Sequence, residues 1–336
     1  MTLFSALRHP GEGPLPDEGP MAGFDGATGW LNSEPLTPEA LRGRVVAVDF
    51  WTYTCVNWLR TLPYVRAWAA KYHEHGLTVI GVHTPEFGFE RDGDNVAAAA
   101  RDMQVDYPIA MDADYGVWRD FANNYWPALY IADAEGRIRY HHYGEGEYAM
   151  SEMVIQQLLR AAGHDGFDPG LVAVDPIGTE VAADWETLRT PETYVAFGRS
   201  PGFASPDDAV PNLTHDYPAP MRLGLNQWAP VGVWRLSPHA AILDQPGGRI
   251  AFRFQARDVN LVMGPATAGS SVPFRVLLDG EPAGAAHGTD VDASANGTVM
   301  QQRLYQLIRQ TSPIAERTIE IEFLEAGVEA YCFTFG

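Results

Sequence analysis

The chain has 336 residues, 46% of them hydrophobic and 20% charged, which predicts two globular domains with sizeable cores and excludes a disordered polymer. Its net charge of -20 excludes nucleic acid and anionic membrane surfaces as partners, because both require a basic face. No stretch approaches the ~18 apolar residues of a membrane span, so no membrane insertion is expected.

Residues 1–34 form an N-terminal arm, rich in Gly and Pro around GEGPLPDEGPMAGFDGATG and read as extended or loose. The opening MTLFSALRHPGEGPLP lacks the apolar core and small-residue cleavage site of a secretory signal, a cytoplasmic reading. Arg44–Trp51 (RVVAVDFW) is dense in β-branched and aromatic residues and reads as a buried strand. Cys55 follows, and Val56–His75 then has helical periodicity, with Leu59, Leu62, Val65, Trp68 and Ala69 on one face and Gly76 as its stop. Leu77–His83 is a second buried strand, Asn95–Met103 a helix, Tyr107–Met111 a short strand and Tyr115–Asn123 a short helix. Ala128–Ala132 and Arg137–Tyr143 read as a hairpin turning at DAEG, and Ser151–Ala162 as a closing amphipathic helix. The order β-α-β-α-β-α-β-β-α over residues 35–164 predicts an α/β domain whose mixed sheet is flanked by helices, parallel early and antiparallel at its late edge.

Residues 165–192 read as a linker, Gly-, Pro- and Asp-rich at Asp165–Pro176. From 193 to 336 short strand-like runs replace helices: Trp234–Leu236, Arg249–Gln255, Val259–Met263, Phe274–Leu278, Thr318–Phe323 and Glu329–Phe335. GG, DG, NG and AG turn signals separate them, the pattern of an all-β sandwich or jelly roll. Met300–Gln310 fits either a helix or a strand.

Asp49, Phe50, Trp51 and Cys55 stand at a strand-to-helix junction. A thiol there meets the positive end of the helix dipole and unpaired backbone N–H groups, which favour thiolate and lower its pKa below the ~8.5 of ordinary cysteine. The alternative is a small buried hydrophobe. DFW, three residues and a Cys resemble the thioredoxin active-site segment, and the words WTYTCVNWLRTLPYV and GVHTPEF resemble the thioredoxin-like domain of the DipZ/TlpA branch. The β-rich tail is similar to the carbohydrate-binding-module-like domain that follows it in DipZ proteins. The resemblance implies a thioredoxin fold plus a β-sandwich, with Cys55 as nucleophile, Asp49 as buried proton acceptor, and a cis Pro127 facing the sulfur. It also implies an extracytoplasmic setting, against the absent leader.

Trp58 departs from the pattern, since it occupies the position of the resolving cysteine. A dithiol reductase is therefore not expected, and three readings stay open. One is monothiol exchange on a protein or small-molecule disulfide with an external thiol reductant. Another is peroxide reduction, for which Thr52-x-x-Cys55 matches part of the peroxiredoxin pattern while Val48 stands where that pattern has Pro. The third is a non-catalytic binding protein with a degenerate redox site and a glycan- or protein-binding sandwich. Trp51, Thr52, Glu86 and Trp126 are expected around the thiol, with Trp58 and Trp126 walling it. Glu86 is a candidate second acid, or simply a loop residue. In the sandwich, Asn226, Trp228 and Trp234, with Gln227 and Asp244, are candidates for carbohydrate stacking and hydroxyl binding, against the plainer reading of the aromatics as core. His141 and His142 alternate across one strand and make no metal pair, and the two cysteines make no zinc site. No cofactor is expected.

Overall fold

The computed structural model describes residues 14–336; the first half of the arm, with the leader reading made on it, lies outside the described residues. The chain divides into two compact units, up to Glu180 and from Val181 onward. Among the described residues no helix is long and apolar enough to cross a membrane.

The first unit runs β1 (Gly29–Leu31), β2 (Val45–Trp51), α1 (Val56–Tyr72), β3 (Leu77–His83), α2 (Gly93–Asp102), β4 (Ile109–Met111), α3 (Gly116–Asp120), β5 (Ala128–Ala132), β6 (Ile138–Tyr143) and α4 (Tyr148–Ala161). Its sheet has the order β1-β4-β3-β2-β5-β6. β2 pairs in parallel with β3, and β3 with β4, while β5 and β6 run antiparallel. This is the thioredoxin fold. Every residue of β2 is buried, as a central strand covered on both faces requires.

Strand alternation decides what each face of β2 carries. Val46, Val48 and Phe50 join one core cluster with Phe24, Phe121 and Tyr130. Asp49 and Trp51, of opposite parity, meet α1 on the other face. Gly81, beside Asp49 in the register, has no side chain because a Cβ there would come within 2.8 Å of the Trp51 indole nitrogen. α1 ends in a short turn at His73–His75 and in Gly76, in the left-handed conformation. Part of the arm read as loose is ordered. β1 pairs antiparallel with β4, and backbone bonds from Glu18 and to Gly19 lace residue Ile138 of the β6 edge. Three strand residues, GWL, are too few to show periodicity.

The second unit is antiparallel β throughout its sheet. It comprises β7 (Thr193–Tyr194), β8 (Thr214–Tyr217), β9 (Trp228–Leu236), β10 (Ala241–Leu243), β11 (Arg249–Gln255), β12 (Asp258–Pro265), β13 (Val272–Leu278), β14 (Glu281–Pro282), β15 (Asn296–Val299), β16 (Arg303–Arg309), β17 (Glu316–Phe323) and β18 (Val328–Phe335). The ambiguous 300–310 run is thus the strand β16. β9 belongs to both halves: residues 228–231 pair with β11 and residues 234–236 with β10. β11 and β18 share no hydrogen bonds in the strand order, yet Phe252 packs on Phe333 and Phe335 at 5.1 and 5.2 Å. The two halves therefore face each other across one apolar core.

Candidate active site

Cys55 is the N-cap residue of α1, in extended backbone. Its carbonyl accepts the first helical bond, from the Leu59 amide at 3.0 Å. The position usually filled by Ser, Thr, Asp or Asn is filled here by a cysteine, whose sulfur makes no capping hydrogen bond and so leaves the helix-terminal N–H groups to act on it through the dipole alone. The thiol is half-buried and lies 3.9 Å from the Trp126 carbonyl oxygen. The Trp126–Pro127 bond is cis. Cys55 and the Trp126–Pro127 pair, which starts 71 residues further on, are thereby brought to one place. Trp126 is held there by its indole N–H, which donates to the Thr84 carbonyl at 3.1 Å, and by Trp118, whose ring lies 4.4 Å away.

Asp49, Trp51 and Trp58 form a second group, on the face of β2 that meets α1. The Trp58 indole N–H donates to Asp49 Oδ2 at 2.9 Å, and the Trp58 ring stacks on Trp51 at 4.3 Å and 25°. Trp58 is 0% exposed. The expectation that it walls the mouth of the site is therefore corrected. Its indole turns inward, because the buried Asp49 carboxyl needs a donor and the Trp51 face needs cover. Trp126 borders the thiol through its carbonyl. Burial pushes the Asp49 carboxyl up to about 7, against the Trp58 N–H, which favours the ionised form.

His83, at the end of β3, is also buried. Its ring packs edge-on against Trp51 at 4.7 Å and parallel to Tyr53 at 5.7 Å. Burial takes its pKa down to about 3, so it is a neutral packing group at any working pH.

The buried acid of the loop after β3 is Glu90, not Glu86. Glu90 accepts from the Thr54 hydroxyl at 2.6 Å and from the backbone amides of Glu86 and Phe87 at 2.7 and 2.8 Å. Glu86 is half-buried and contributes its amide. Glu90 thus ties the residue next to Cys55 to the loop beyond β3. The sequence carries a faint signal for it, an acid in the first turn of a short helical stretch, Gly88–Arg91, but nothing that links it to Thr54. Burial raises its carboxyl pKa against those donors. Glu90→Ala leaves three donors without their acceptor and should cost about 1–3 kcal/mol. Urea unfolding of the variant checks this, and a cost near zero would mean that water replaces the carboxylate freely. Thr52 is wholly buried and supplies the carbonyl that accepts the Cys55 amide at 3.2 Å.

In the second unit, Trp228 and Trp234 are each 0% exposed. The Trp234 indole donates to the Val231 carbonyl at 3.0 Å. Neither ring offers a free face for a sugar, which corrects the stacking role considered for them. A sandwich of this size uses its largest rings as core.

Within this thioredoxin fold a cysteine thus stands at the start of the helix after the central strand, 3.9 Å from the carbonyl that precedes a cis proline. Residues 27–156 match the Redoxin family, and residues 190–336 match the family described as thioredoxin-like C-terminal domain. The chain is 34% identical over 315 residues to Protein DipZ of Mycobacterium bovis, covering 93% of this chain and 42% of that protein. It therefore spans about two-fifths of the length of this relative. Thiol-disulfide oxidoreductase YkuV of Bacillus subtilis is 27% identical over 140 residues, 42% of this chain and 94% of YkuV. Among solved structures, a thioredoxin-like protein in its oxidised form is 29% identical with a TM-score of 0.40, covering 43% of this chain and 96% of that one.

Proposed function

We propose that this chain is a monothiol thiol-disulfide oxidoreductase, with Cys55 as nucleophile and an external thiol in place of the resolving cysteine. The observation that carries the reading is the position of the Cys55 sulfur, at a helix start and 3.9 Å from the carbonyl preceding Pro127. The helix terminus stabilises thiolate over thiol. Once the proton leaves, the Trp126 carbonyl has lost the S–H donor and accepts an amide of an extended substrate instead.

In the first step the Cys55 thiolate attacks a disulfide R–S–S–R′. A bond forms between Cys55 Sγ and the R sulfur, and R′ leaves as thiolate and takes up a proton. An external thiolate then attacks Cys55 Sγ and releases R as thiolate. A second external thiolate frees Cys55 and carries the two electrons' worth of oxidation away as its own disulfide. The buried Asp49 carboxyl serves this sequence as a proton store. The substrate, protein or small molecule, is selected at the Trp126–Pro127 edge. Similarity to YkuV, whose name states thiol-disulfide exchange, supports the same chemistry.

Intact mass after exposure to oxidised glutathione tests the reading. One glutathione per chain is expected, removable by dithiothreitol, absent in Cys55→Ser and retained in Cys332→Ser. An unmodified wild-type chain, or an adduct that survives Cys55→Ser, overturns it. Sulfenic acid formed at Cys55 by dilute peroxide, without a glutathione adduct, would favour the peroxidase reading instead.

A further inference from the structure

The second unit contains a pocket of about 540 Å³ that the redox reading does not use. Its walls are Tyr194, Phe197 and Phe203, with the wholly buried Trp228 packed behind them, and its polar groups are Arg199 and Ser200. The volume suits a ligand of one or two rings. Strand β9 and the segment before it hold the walls in place. The Trp228 indole N–H donates to the Ser200 hydroxyl at 2.9 Å, and that hydroxyl donates to the Tyr194 carbonyl at 3.1 Å. The backbone of Trp228 receives and returns bonds across the segment, donating to Gly202 O and accepting from Ala204 N, both at 2.9 Å. Phe203 packs edge-on against Trp228 at 5.4 Å. The cavity is therefore preformed, and binding would not have to order it.

Arg199 sets the chemistry. Its guanidinium lies 4.3 Å from the centre of the Tyr194 ring. In that stacked position its edge N–H donors are left for an acceptor in the plane of the guanidinium. It stands in no ion pair among those of the described residues. Glu192 is the carboxylate that feels its charge, from beyond ion-pair distance. In a chain of net charge -20, a cation without an ion pair beside aromatic walls is a selective feature.

We infer that this pocket binds a small aromatic carboxylate, with the ring against Phe197 and Phe203 and the carboxylate on the fork of Arg199. The aromatic walls supply apolar burial, and the guanidinium supplies a charge-assisted pair with defined geometry. Every residue that lines the pocket belongs to the second unit.

Calorimetric titration of the full chain with 3-phenylpropanoate and with its neutral amide, 3-phenylpropanamide, tests this. The carboxylate should bind at least about tenfold tighter than the amide, the scale of one charged hydrogen-bonded pair. Arg199→Gln should reduce carboxylate affinity to the level of the amide and leave the amide unchanged. Arg199 is exposed, so its loss does not threaten folding. Cys55→Ser should bind as wild type. Equal affinity for the two probes, no heat with either at millimolar concentration, an Arg199→Gln chain that still prefers the carboxylate, or loss of binding in Cys55→Ser would each overturn the inference.

Discussion

Trp58→Ala is expected to destabilise the first unit by about 3–5 kcal/mol, the range for emptying a buried tryptophan site. Three losses add there. The indole is wholly buried, so its apolar area returns to a cavity. The Trp51 ring, 4.3 Å away, loses its stacking partner. Asp49 Oδ2 loses its donor in a place water reaches poorly, and a buried carboxyl without a partner is costly. Guanidinium titration at constant m-value measures the sum, and a loss below about 1 kcal/mol would show that the packing closes over the gap. Trp58→Phe separates the contributions. It keeps a ring on Trp51 but removes the N–H together with part of the bicyclic ring, so its cost should lie below that of Trp58→Ala and still reach about 1–3 kcal/mol. The same reasoning bears on Trp58→Cys, the change that would complete a dithiol site. It places a second thiol one turn from Cys55 but removes the indole that satisfies Asp49. Reductase activity would be gained on a weakened domain, and an added thiol alone is not equivalent to restoring a dithiol enzyme.

What the sequence discloses and what it conceals differ by the range of the interaction. The run RVVAVDFW declares a central strand, because full burial on both faces needs an unbroken apolar stretch. The lone cysteine at the following helix start, and the missing partner three residues on, are equally local. The direction of the Trp58 ring is not local. It depends on Asp49 and Trp51 sharing one parity on β2 and on α1 packing over that face. The parity is legible; the packing is not. Glu90 escapes notice for the same reason, since its acceptor role joins Thr54 to a loop 36 residues further on. In the second unit, β7, β14 and β10 are two or three residues long, below any period, and only pairing with longer neighbours makes them strands. Trp228 and Trp234 share a parity on β9, and composition alone does not tell an inward ring from an outward one.

Asp49→Asn should remove a large pH-dependent contribution to the stability of the first unit. In the folded chain burial holds the Asp49 carboxyl at about 7; in the unfolded chain it titrates near ~3.9. Below about pH 4 the group is protonated in both states and contributes no penalty. Between there and pH 7 the unfolded chain has released the proton and the folded chain has not. The folded state then binds more protons, so stability falls as pH rises. Above about pH 7 both forms are ionised and the penalty is constant, on the order of 4 kcal/mol for three pH decades at ~1.4 kcal/mol each. Asparagine carries no proton to lose, and its carbonyl can still accept the Trp58 N–H. Glu90 also has a raised carboxyl pKa, but it is present in both proteins and cancels in the difference. The stability difference between variant and wild type should therefore swing in favour of Asn by roughly 4 kcal/mol from pH 4 to pH 8, and a flat difference would show that the carboxyl ionises as it does in water. The rate of Cys55 alkylation across the same range separates structure from chemistry. If Asp49 only fills space, the more stable variant alkylates with the wild-type pH profile. If it stores the proton that the thiol must release, the profile shifts while the fold gains stability, and the two readouts move apart.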